Sequence, residues 1–163
     1  SKSIQTTPAH QLALAAVYYS PLQYMYWYDK PSDSQDEPEL KFFDDVYTTW
    51  DDTKVLQGEV GEFITIARRK GEEWFIGSIT NNEKRVLSVS LDFLPEGKNY
   101  IAEIYTDGDK SVKTRTKVRV STYRVSNKTK LNFCLKASGG GAVRLVPDDG
   151  NIKSVKNYKQ QRL

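Results

Sequence analysis

The stretch Leu87-Ser88-Val89-Ser90-Leu91-Asp92-Phe93, with Leu131-Asn132-Phe133-Cys134-Leu135 further on, decides the fold. In both, apolar side chains take every second position, the period of a strand that buries one face and wets the other. Working outward from them, Val55 to Val60, Phe63 to Arg68, Trp74 to Thr80, Asn99 to Tyr105, Lys117 to Val125 and Ala142 to Val146 read as further strands. Lys70-Gly71, Asn81-Asn82, Pro95-Glu96-Gly97 and Asp107-Gly108 supply the turns between them. About eight short strands with no helix between them imply a mainly β, antiparallel sandwich or Greek-key domain. Its expected span is residues 53–147.

Residues 1–30 follow a different pattern. Thr7 reads as an N-cap and Pro8 as the first helical position of a helix over residues 7–19. Leu12, Ala13, Leu14, Ala15, Ala16 and Val17 cover every direction of the helical wheel, so this helix lacks a polar face and needs a larger body around it. After it, Tyr18, Tyr19, Tyr24, Met25, Tyr26, Trp27 and Tyr28 form an aromatic concentration of the kind found at packed interfaces. Residues 31–52 read as a polar connector with a short helix around Glu39 to Val46. Residues 148–163, polar and aperiodic, read as a loosely ordered tail.

Hydrophobic residues make up 38% and charged residues 28% of the 163, and the net charge is only +3, a balance typical of a soluble globular domain. Basic residues mostly sit beside acids, as in Arg68-Arg69-Lys70-Gly71-Glu72-Glu73, which argues against a nucleic-acid partner. No run approaches the ~18 consecutive apolar residues of a membrane span. Cys134, the single cysteine, cannot form an internal disulfide, and its place inside a strand reads as a small buried hydrophobe.

Catalytic constellations are scarce. His10 is the only histidine and sits in the first turn of the apolar helix, where capping or packing outweighs catalysis. Asp107-Gly108-Asp109 reads as a hairpin turn, since the alternating acids of a calcium loop are missing, and no metal site is expected. Gly139-Gly140-Gly141 reads as a loop that permits close backbone approach; no Lys-Ser or Lys-Thr follows to make a phosphate cradle. Glycoside hydrolysis needs only two carboxylates, but Asp44, Asp45, Asp51, Asp52, Glu59, Glu62, Glu72 and Glu73 read as solvated faces, so no catalytic residue is assigned. Trp27, Trp50 and Trp74 are the candidates for carbohydrate or interdomain contact, because an indole can stack on a sugar ring while its N–H bonds a hydroxyl.

Ala9-His10-Gln11-Leu12-Ala13-Leu14, followed by Val17-Tyr18-Tyr19-Ser20-Pro21-Leu22-Gln23, resembles the last barrel helix of family 97 glycoside hydrolases. Thr48-Thr49-Trp50-Asp51-Asp52-Thr53, Gly58-Glu59-Val60-Gly61 and Thr65-Ile66-Ala67-Arg68-Arg69-Lys70-Gly71 resemble the start of that family's C-terminal β domain. Trp74-Phe75-Ile76-Gly77 and Gly140-Gly141-Ala142-Val143-Arg144-Leu145-Val146-Pro147 extend the likeness, while Tyr47 departs from it where proline is expected. The resemblance implies a larger, periplasmic or secreted enzyme: an N-terminal β-sandwich, a (β/α)8 barrel whose last helix opens this chain, and this β domain. It also implies that the catalytic carboxylates and calcium ligands lie outside this chain, with no cofactor of its own, and that the parent hydrolyses α-glucosidic or α-galactosidic bonds. The expected role is therefore non-catalytic: packing on the barrel, with self-association as a second partner surface. The alternative, from a different class, is a carbohydrate-binding module that holds oligosaccharide through exposed aromatics.

Overall fold

The computed structural model describes residues 5–20, 22, 37–113, 115–152 and 154–160. The two diagnostic alternations become β4 (Arg85–Ser90) and β7 (Lys130–Leu135), which pair antiparallel with Leu87 opposite Phe133 and Val89 opposite Leu131. The strand ends before the alternation does, because Leu94 N–H bonds back to Leu91 and turns the chain there. The other strands are β1 (Asp52–Glu59), β2 (Phe63–Lys70), β3 (Glu73–Thr80), β5 (Asn99–Asp107), β6 (Val118–Ser126) and β8 (Gly140–Pro147). They form a six-stranded antiparallel sheet in the order β1-β2-β3-β8-β5-β6, and β4 and β7 form a separate ribbon.

The last strand fills the centre of that sheet. β8 pairs with β3 on one side and β5 on the other, so it joins two halves that share no other ladder. Alternation then sends Ala67, Trp74, Ile76, Tyr100, Ala102, Ile104, Val143 and Leu145 to one face, where they meet Leu87, Val89, Leu131, Phe133 and Leu135 of the ribbon. The result is the mainly β sandwich expected from the periodicity.

The opposite face carries the helices. Helix α1 (Pro8–Val17) begins as its sequence indicates, with the Thr7 hydroxyl accepting from His10 N–H at 3.2 Å. Ala9, Leu12, Ala13 and Ala16 are fully buried against Phe75, Tyr105 and Ala142, together with Phe42 of the short α2 (Lys41–Asp45), which a 3-10 turn at Pro38–Leu40 introduces. The demand for an outside body is thus corrected over most of α1: an apolar helix is covered as well by a sheet face of its own chain, provided its backbone can come close. Glycines provide that closeness. A Cβ on Gly77 would lie 2.4 Å from the Ala13 carbonyl oxygen, and one on Gly140 2.6 Å from His10 Cα. The close backbone approach read from Gly139-Gly140-Gly141 is present, but it is made by a strand and not a loop, since Gly140 and Gly141 open β8.

Two other expectations are corrected. Cys134 is exposed, because the alternation that buries Leu131, Phe133 and Leu135 turns the residues between them outward. The tail is not loose over its described residues: Arg124 N–H donates to Lys156 and Tyr158 N–H to Arg124, making a parallel bridge beside β6. Tyr158 also accepts from Asn132 N–H at 3.0 Å and meets Tyr123 edge to face.

His10 Nδ1 donates to the Gly139 carbonyl at 3.1 Å, and burial holds its pKa below the ordinary value, against the upward pull of that carbonyl and of Asp107. The unfolded chain then takes up the proton first as pH falls. The stability contributed by neutral His10 should be intact above about pH 6.5 and be lost as pH drops from there through the folded-state pKa. Urea titrations at several pH values should show this slope, and His10→Gln should flatten it. Gly77→Val should destabilise by about 2–3 kcal/mol, because a carbonyl oxygen of a helix cannot yield as a side chain could. Gly141→Ala, whose Cβ would meet only the Phe133 ring and Thr106 methyl at 3.3 Å or more, should cost far less in the same assay.

Candidate functional site

Of the three tryptophans singled out from sequence, Trp74 is 4% exposed, buried between sheet and ribbon with the Phe93 ring 4.7 Å away. Trp50 lies on the other face, its ring 5.4 Å from Phe75 and 6.3 Å from Tyr47. Its Nε1 is buried and meets no acceptor among the described residues. The sheet separates the two indoles, so they share no platform, and both pack within the chain. Trp27 and the rest of Tyr24 to Tyr28 lie outside the described residues. Tyr47, replacing the expected proline, adds a ring to the Phe75 cluster at 5.8 Å.

Sequence reading gave Arg68 no role, yet it is the largest fully buried side chain, 2% exposed. It rises from β2 on the helix side, donating through Nε to Ala16 O at 2.5 Å and through Nη2 to Val17 O at 2.9 Å. Nη1 donates to the Thr53 hydroxyl at 2.8 Å, and the guanidinium lies 5.1 Å from the Tyr19 ring centre. The last carbonyls of a helix lack intrahelical donors and sit at its negative end, so a buried cation there finds both hydrogen bonds and a favourable field. Burial still pulls the Arg68 pKa down. The readable signal was an arginine on the same strand face as Ile64 and Ile66.

Arg144 of β8 does similar work for α2. Its guanidinium holds Glu73 through two bonds, at 3.0 and 3.2 Å, and Asp45 through a third at 2.9 Å. Lys41 joins Asp45 and Glu103 to the group. These ion pairs raise the Arg144 pKa even though burial opposes them.

The carboxylates with resolved shifts are moved down, opposite to what a general acid needs. Asp51 is lowered first by the Gly71 N–H, Asp109 by the Ser111 hydroxyl and Asp148 by Arg124. Among the described residues no group of three or more His, Cys, Asp or Glu side chains could hold a metal ion. None of their helices is long and apolar enough to cross a membrane.

The surface that stands out is apolar. β1 forms one edge of the large sheet, and beside it lies a groove of about 550 Å³ lined by Val55, Val60, Phe63, Ile64 and Ile79, with Glu59 and Glu62 at its rim. Val55 is 67% exposed and Val60 wholly so. Two exposed valines beside an open sheet edge make this groove the apolar surface considered for docking below.

A sequence model of the family described as "Glycosyl-hydrolase 97 C-terminal, oligomerisation" matches residues 49–146, more than half of the chain. The chain belongs to this family. A retaining α-galactosidase of Bacteroides thetaiotaomicron is 34% identical over 142 residues, 86% of this chain and 21% of the relative. A family 97 enzyme of a Pseudoalteromonas species, solved with acarbose, superposes with a TM-score of 0.79 at 37% identity, covering 88% of this chain and 23% of its own. A crystal structure of a β-arabinopyranosidase gives a TM-score of 0.70 at 25% identity, covering 87% of this chain and 22% of its own. This family 97 C-terminal domain therefore spans less than a quarter of the length of these relatives.

Replacing Arg68 in this domain by Met should leave two carbonyls at the end of α1 without donors and cost about 2–3 kcal/mol in urea unfolding. Arg68→Lys should recover only part, since an ammonium cannot reproduce the planar fork that reaches both carbonyls and Thr53.

Proposed function

We propose that this chain is the non-catalytic C-terminal module of a larger α-glycosidase and that it packs on the catalytic barrel and holds copies of the enzyme together. The observation that carries this reading is the pairing of a family defined by oligomerisation with an exposed apolar groove on a domain less than a quarter the length of its relatives. In this reading the parent cleaves α-galactosidic or α-glucosidic bonds. The α-galactosidase relative supports the first, and the acarbose-bound structure supports an enzyme acting on sugars. The catalytic carboxylates and any calcium belong in this reading to the parent's other domains; what supports it is that Asp51, Asp109 and Asp148 are moved down by backbone N–H, hydroxyl and arginine partners, opposite to what a general acid needs. Helix α1 is then the last helix of the barrel, one side on this sheet and the other, through Leu14, Tyr18 and Tyr19, toward the barrel.

The purified chain should not hydrolyse p-nitrophenyl α-galactoside or α-glucoside, and should sediment as more than a monomer. Turnover that vanished on Glu62→Gln would overturn the reading, as would a strictly monomeric chain.

A further inference from the structure

The open edge of β1 carries a charge pattern that fits itself. Lys54 stands opposite Ala67 of β2 and Glu59 opposite Phe63, and Ala67 and Phe63 both pack toward the ribbon, so Lys54 and Glu59 share that face of the edge strand. In a regular strand an odd separation would put them on opposite faces. They share a face because the register shifts between Val55 and Gln57: Leu56 is an extra residue, and its side chain goes to the core. Thr53, Val55 and Gly58 lie on the other face, toward the helices and the groove.

Two such strands run antiparallel about a two-fold axis would place each residue twice, once on each copy. With Lys54 opposite the partner's Glu59, Val55 falls opposite the partner's Gly58 and Thr53 opposite the partner's Val60. The two pairs within β1, Lys54 with Glu59 and Val55 with Gly58, each keep their residues on one face. The fully exposed Val60, in the turn just beyond β1, then comes to the partner's end of the pairing, where it lines the groove with Val55, Phe63, Ile64 and Ile79. Glu59 meets no cation among the described residues, and Lys54 only leans on Asp52 at 3.3 Å. An edge lysine normally repels a stray apolar strand. Here it leaves one welcome occupant, a strand with an acid at the matching place.

We propose that the β1 edge and its apolar groove bind a second copy of this chain, the two β1 strands antiparallel with Lys54 of each facing the partner's Glu59. This rests on the oligomerisation reading above and names the surface it uses.

Sedimentation of the full 163-residue chain and its charge variants tests it. The wild type should be a dimer. Lys54→Glu alone or Glu59→Lys alone places like charges opposite each other twice per dimer and should weaken association by about tenfold or more. The double variant K54E/E59K restores opposite charges and should regain the dimer, which a merely misfolded protein would not do. Val60→Asp, on an exposed tip, should weaken the dimer and leave the urea midpoint unchanged when both proteins are diluted to monomer. A dimer indifferent to the single swaps, or not restored by the double one, would overturn this interface while leaving oligomerisation standing. A wild-type chain that stays monomeric would remove both this proposal and the reading it rests on.

Discussion

Everything on the helical side of this domain depends on how near the backbone of α1 can come to β3 and β8. Gly77 and Gly140 leave no side chain between them and the carbonyl of Ala13 or the Cα of His10, and the helix answers with Ala9, Ala13 and Ala16. Close contact of this kind gains dispersion along the whole helix but leaves no slack for even a methyl group. The same closeness explains the buried His10, which must hydrogen-bond the Gly139 carbonyl because water is excluded there.

Three arginines repeat one device around the sheet. Arg68 of β2 takes the end of α1, Arg144 of β8 takes α2 through Asp45, and Arg124 of β6 takes the tail through Asp148 and the Ile152 and Val155 carbonyls. Each ties a segment without ladder bonds to a strand that has them. A guanidinium suits the task because it offers several donors in one plane, so one side chain can satisfy carbonyls or carboxylates that would otherwise be poorly paired. The ion pairs thereby set orientation, while burial of apolar area on both faces supplies the drive.

Much of this was legible beforehand. The cap at Thr7, the start at Pro8, the eight strands and the family strings around Trp50 and Arg68 follow from local chemistry. The outward place of Cys134 follows from the same parity that buries Leu131, Phe133 and Leu135, which outweighs the usual burial of a free cysteine. Trp50 and Trp74 were less readable, since a tryptophan in a strand or junction looks the same whether its ring faces core or solvent. The order of the tail is not legible in its own sequence, because its hold on β6 comes from Arg124, Tyr123 and Asn132, none of them near it along the chain.

The amino-acid order alone determined where the chain turns, which residues alternate and that α1 has no wet side, because these depend on geometry repeating every two or 3.6 residues. It did not say what would cover that helix, nor that the final strand would sit at the middle of the sheet, nor that a buried arginine would find helix carbonyls some fifty positions away. Those outcomes belong to the tertiary structure, because they are contacts between distant segments that become favourable only once both faces of the sheet exist to be buried.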